Sequence, residues 1–278
     1  TYYRGCEFSR HSRFVAASGD TSARAGNGNV FADEQSSGGV FSGCVFTNNL
    51  TSAKNAIGAT LLGVSAARFE RCLFENNWTL VTPASGRSYT ALFPSNVSGG
   101  LTTVDGCHFA RNRLSAPVND VEGTFYLALV GGANGDAGTF LNSTFVSNRV
   151  EWADNGKSTV VASRGIFTSG GNGQRAIAHC AFVGPGDDVY DVVQYGSSHT
   201  YATRVHNSVF VRDGEQRNPF YVGTPSQFSV RDCSIAGFTL VPDNLDIDGL
   251  EIDPVPLETV DADGLPTLRP AARMPSAR

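Results

Sequence analysis

The feature that most constrains this chain is a seven-residue phrase that it keeps rewriting. "GCVFTNN" at 43–49 returns as "RCLFENN" at 71–77, "GCHFARN" at 106–112 and "NSTFVSN" at 142–148. With the cysteine as position zero, eight copies align: Cys6, Cys44, Cys72, Cys107, Ser143, Cys180, Ser208 and Cys233, which places all six cysteines in one column. Position +2 holds Phe8, Phe46, Phe74, Phe109, Phe145, Phe182, Phe210 and Ile235. Position −3 is apolar throughout: Tyr3, Phe41, Phe69, Val104, Phe140, Ile177, Val205 and Val230. Four consecutive copies carry Asn49, Asn77, Asn112 and Asn148 at +5.

Side chains alternate along a strand, so positions zero and +2 share one face. Position −3 has the wrong parity to join them unless the chain bends in between. The residue at −1 is mostly Gly, Asn or Asp, types that tolerate the left-handed backbone such a bend needs. A strand, a tight bend and a second strand, all facing inward, describe the corner of a coil. The copies are spaced by 38, 28, 35, 36, 37, 28 and 25 residues, whereas a helical repeat would hold its length and show helical periodicity. Variable length suits a coil whose loops grow outward while its corners stay in register. The sequence therefore predicts an all-β chain, a single-domain right-handed parallel β-helix of about eight coils over residues 1–240. An extended, acidic and Pro-rich tail, 241–278, is expected to pack on the solenoid.

Six cysteines would ordinarily suggest disulfides. Here Cys180 and Cys233 have only serines as column neighbours, which puts the nearest cysteine two strand spacings, or ~9.6 Å, away. The alternation with serine reads as a demand for a small side chain, and the expectation is free, buried thiols. The asparagines are expected to bond coil to coil at a turn. The sequons at Asn49, Asn77, Asn96 and Asn142 read as turn chemistry rather than glycosylation sites.

Composition narrows the function classes. A net charge of −5 with only two lysines, Lys54 and Lys157, opposes nucleic-acid or polybasic membrane binding. No apolar run approaches the ~18 residues of a membrane span. The opening "TYYRGCEFS" already lies inside a repeat, which predicts a piece of a longer protein.

Phe-x-x-Asn at 46–49, 74–77, 109–112 and 145–148, with Gly-Gly-Val at 38–40 and Gly-Gly-Ala at 131–133, resembles the repeats of bacterial polymorphic outer-membrane proteins and related β-helix surface proteins. The end of the chain, with Asp253-Pro254, Asp261, Gly264, Leu268, Pro270 and Pro275, resembles the C-terminal segment of bacterial surface β-helix proteins of the choice-of-anchor type. The resemblance implies an extracellular or cell-surface location. It does not imply one activity, because the fold hosts enzymes, adhesins and scaffolds alike.

Chemistry must come from outward residues. The outer positions of the later coils form a small-residue stripe, with Val146, Val183, Val209 and Val211, that suits packing. The tail is expected to cover it, and another subunit meeting the stripe or a coil end is the alternative. The densest acidic cluster, Asp187, Asp188 and Asp191, follows the sixth Phe. Its Gly-Pro-Gly-Asp-Asp is similar to a polygalacturonase element whose carboxylates act as acid and base, but the Gly-His-Gly and Arg-x-Lys elements are missing. Trp78 and Trp152, with Asp154 and Asp213, are candidates for contacting a sugar ring. "NGKST" at 155–159 lacks the upstream glycine of a phosphate loop, and the five histidines have no metal-ligand spacing, so no cofactor or metal is expected. These features point to a non-catalytic surface solenoid that is structural, adhesive or glycan-contacting. The alternatives are a lyase or hydrolase of acidic polysaccharides and a self-assembling solenoid.

Overall fold

The computed structural model describes residues 1–15, 31–33, 39–54, 62–64, 67–82, 88–92, 102–117, 125–132, 138–153, 161–169, 175–185, 190–194, 202–216, 218–238, 245–249 and 251–252. Every strand pairing within them is parallel, and the strands stack into the faces of a parallel β-helix. Sheet A has nine strands, from Tyr2–Arg4 to Asp246–Asp248, and sheet B has nine, from Glu7–Ser9 to Glu251–Ile252. Sheet C has five: Ser12–Val15, Leu50–Lys54, Trp78–Thr82, Arg113–Ala116 and Arg149–Trp152. Sheet D holds five strands from Ser88–Thr90 to Phe220–Val222. The pair Phe31–Asp33 and Leu62–Val64 continues it upward, because the Leu62 amide donates to the Leu92 carbonyl at 3.0 Å. The described residues contain a single helical turn, Pro225–Gln227.

Two bends set the cross-section. Between sheets A and B the −1 residue is left-handed in all nine coils, with φ from 46° at Asn207 to 65° at Gly249. Between B and C a second left-handed residue stands at +4: Arg10, Asn48, Asn76, Arg111 and Ser147. These bends turn positions −3, zero, +2 and +5 all inward. The rings at +2 stack almost face to face from Phe8 to Phe210, with centroids 4.6–5.0 Å apart and planes within 11°. Tyr3, Phe41 and Phe69 form a shorter stack beside them, meeting the first edge-on. Burying each ring stabilises the coil by about 2–3 kcal/mol, with up to roughly 1 kcal/mol more from stacking.

The other two columns are hydrogen-bonded. All six cysteines are free thiols, buried except for the half-buried Cys6. They do more than fill space: Cys72 Sγ donates to the Phe41 carbonyl, while Cys107 Sγ accepts from the Cys72 amide. Serine does the same, since Ser143 Oγ accepts from the Cys107 amide and donates to the Leu141 carbonyl at 2.7 Å. That shared capacity, beyond small size, explains why the column alternates between Cys and Ser. Burial pushes the Cys180 thiol up to about 12 and that of Cys233 up to about 11, so both remain protonated. In the amide column each Asn Oδ1 accepts from the preceding coil and each Nδ2 donates to a Phe carbonyl, and the Nδ2 groups of Asn49, Asn77 and Asn112 donate also to the next amide oxygen. Asn49 and Asn77 are thus consumed in the core, and neither presents its amide to solvent.

Two features depart from the sequence reading. Strands Asp246–Asp248 and Glu251–Ile252, in the part of the chain expected to form the tail, add a ninth rung: Val230 pairs with Ile247 and Ile235 with Ile252. The rest of the tail, from 253 on, lies outside the described residues. The second bend is also absent from coils six and seven, where sheet B runs straight through Ala181–Pro185 and Val209–Gln216. Pro185 occupies the +5 position there and has no amide side chain to continue the asparagine ladder.

Candidate functional site

Sheet C places its buried residues Thr51, Thr79, Leu114 and Val150 inward. The alternate positions project outward in register: Ser12, Leu50, Trp78, Arg113 and Arg149 in one row, and Ser52, Leu80, Ser115 and Glu151 in the next. Four of them form a closed network across coils three to five. The Arg113 guanidinium carbon lies 4.8 Å from the centre of the Trp78 ring. Trp78 Nε1 donates to Ser115 Oγ at 3.0 Å, and Ser115 Oγ donates to Glu151 Oε2 at 3.1 Å. Arg113 Nε closes the loop onto the same carboxylate oxygen at 2.6 Å.

Trp78 is nevertheless 37% exposed, as is Leu50 one rung above. Arg149, aligned directly with Arg113, is exposed and forms no ion pair with another described residue. The Arg113–Glu151 pair is itself partly exposed and contributes no more than about 1 kcal/mol to stability. Its consequence is geometric, because it fixes the guanidinium against the indole. The face therefore offers an aromatic edge, a held cation, a second cation and a carboxylate on a rigid sheet. Such a set can hydrogen-bond hydroxyl groups and pair with an anionic substituent.

The other sequence candidates scatter. Trp152 is half-buried, packs against the core and sits at the far end of its strand, two coils from Trp78. Asp154, Asp187 and Asp188 lie outside the described residues. Asp213 pairs with Pro185 in sheet B. Asp191 is 1% exposed and bonded to Arg212, which is also buried, so it belongs to the interior rather than to a catalytic floor. Gly184 makes the room, since a Cβ there would stand 2.0 Å from Arg212 Nη1. Burial raises the Asp191 carboxyl to about 6, with Arg212 opposing the shift.

On sheet B, Val146 is buried, while Val183, Val209 and Val211 are half-buried, so the expected stripe is not open at coil five. The described residues contain no cluster of three metal-ligating side chains and no helix long and apolar enough to cross a membrane. Sequence reasoning missed Arg113, Ser115, Arg149 and Glu151, although a signal existed: they stand at +6 and +8 of the same repeat, beyond the columns first aligned. Comparison with models of known families, with curated proteins and with solved structures finds no match.

Proposed function

We propose that this chain is a non-catalytic β-solenoid of a bacterial surface protein, an extracellular module that contacts glycans through the outer face of sheet C. The observation that carries the reading is the network holding Trp78 against Arg113, Ser115 and Glu151 while leaving the indole partly open. Rigid aromatic and planar cationic groups on a preformed surface suit sugar rings, whose hydroxyls need fixed partners. The Phe-x-x-Asn resemblance supports the surface location, and the burial of Asp191 removes one member of the acidic cluster from any outward site.

The test is titration of the chain with neutral and uronate-rich oligosaccharides, read by Trp fluorescence in a Trp152→Phe background and by calorimetry. Binding weakened at least tenfold by Trp78→Ala is the expected result. No binding, or binding indifferent to Trp78, overturns the assignment of the face. Release of unsaturated products or reducing ends that disappears in Asp187→Asn/Asp188→Asn overturns the non-catalytic reading.

A further inference from the structure

The outer face of sheet C is cationic in a chain that is acidic overall. Across coils four and five, its outward residues and the bends leading into them carry Arg111, Arg113 and Arg149 against Glu151 alone, although the chain has a net charge of −5. Arg111 is already held, by Glu75 on sheet B. Arg113 is fixed between Glu151 and the Trp78 ring. Both carboxylates are thereby matched to a cation. Arg149 is left exposed, and no described residue forms an ion pair with it.

Given the glycan reading of this face, we infer that it selects saccharides bearing an anionic substituent, a carboxylate or a sulfate ester, and that Arg149 makes the selection. Register sets the geometry. Leu50, Trp78, Arg113 and Arg149 stand in one row on consecutive rungs, so Arg149 lies two strand spacings, ~9.6 Å, from Trp78. A sugar chain lying along the row, parallel to the solenoid axis, rests one ring on the exposed flank of Leu50 and Trp78 and carries a charged group to Arg149. The two guanidinium groups then differ in role. Arg113 turns two of its nitrogens to Glu151 and holds the site together. Arg149 keeps its planar fork of donors for the ligand, a geometry that matches two oxygens of a carboxylate or sulfate at once. Glu151 stands two residues further along the same strand, and its bonds to Arg113 and Ser115 offset the repulsion an anionic ligand meets there. Because Arg149 is open to solvent, its advantage is modest and sensitive to salt.

The test titrates the full chain, in the Trp152→Phe background, with tetragalactoside, tetragalacturonate and sulfated tetragalactoside, read by Trp fluorescence at low and high salt. The acidic chains should bind about fivefold more tightly than the neutral one at low ionic strength, and the advantage should fade as salt rises. Arg149→Gln should bring the ratio of affinities close to one. Arg204→Gln, which removes an exposed arginine from sheet A, should leave that ratio as it is. A lead of the uronate over the sulfate ester, or the reverse, supports the inference and identifies the substituent. Equal affinity for neutral and acidic chains in the unsubstituted protein overturns it, while the glycan reading stands. So does an acidic preference that survives Arg149→Gln. Competition by a tetraglutamate peptide as strong as that of the uronate also overturns it, since charge alone would then suffice. Failure of every sugar to bind, or binding indifferent to Trp78→Ala, brings down the glycan reading itself and the inference with it.

Discussion

At the scale of single residues, the asparagine ladder shows how one side chain can be fixed by its neighbours. Asn112 accepts from the backbone and side-chain amides of Asn77, and donates to the Phe74 carbonyl and to Asn148 Oδ1. Truncation removes a hydrogen bond from four buried polar groups. Asn77 Nδ2 keeps the Phe46 carbonyl and Asn148 Oδ1 keeps the Asn112 backbone amide, while a buried group left unsatisfied costs roughly 1–3 kcal/mol before relaxation. Asn112→Ala should therefore cost about 3–4 kcal/mol in urea unfolding, whereas Asn142→Gly, at an exposed left-handed bend, should cost under about 1 kcal/mol. Similar losses for both would mean that the ladder adds nothing beyond turn formation. The sequence exposed this column because identical residues recur at one offset. Their hydrogen-bond directions, and the donor–acceptor duty shared by Cys72 and Ser143, need the distances between coils.

At the scale of elements, the straightened strands of coils six and seven replace amide chemistry with an ion pair between sheets B and D. The folded-state carboxyl of Asp191 lies near 6, above its ordinary 3.8. Between those values the folded chain holds a proton that the unfolded chain has released. The group's contribution is thus fully present below about pH 3.8 and is lost as pH rises through about 6, a swing of about 3 kcal/mol. Wild type should gain stability relative to Asp191→Asn as pH falls from 6.5 to 4 in parallel chemical denaturations. A flat difference, or one of opposite sign, rejects the account. Sequence reading took Asp191 for a surface acid because it follows "GPGDD", a turn-like run. Its partner Arg212 is 21 residues away and one coil down, a relation that pattern alone does not reveal.

At the scale of the whole molecule, nearest-neighbour stacking makes stability local. Phe109 is sandwiched between Phe74 and Phe145 at 4.7 and 4.6 Å, while Phe8 in the first rung stacks on Phe46 alone within its column. Phe109→Ala should lower global stability by about 3–5 kcal/mol, with hydrogen exchange accelerated through several coils. Phe8→Ala should cost about half as much and loosen chiefly the first coil. Equal losses with equal spread would show that the solenoid unfolds as one indivisible unit. The architecture was legible because eight corners share one alphabet. The ninth rung escaped because Leu250 stands where Cys or Ser was sought, although Ile247, Gly249 and Ile252 keep the −3, −1 and +2 pattern. The outer face of sheet C escaped because surface rows carry no such identity, and their meaning arises only when register sets Trp78 beside Arg113. One consequence of the stacked rungs concerns size. In the asparagine and +2 phenylalanine columns each coil from the second to the fifth offers its neighbours the same donors, acceptors and rings above and below, so these columns contain nothing that counts coils. Length is an open variable along that stretch, altered in whole turns without a new solution for the core, and the tally is fixed only where Pro185 changes the rule.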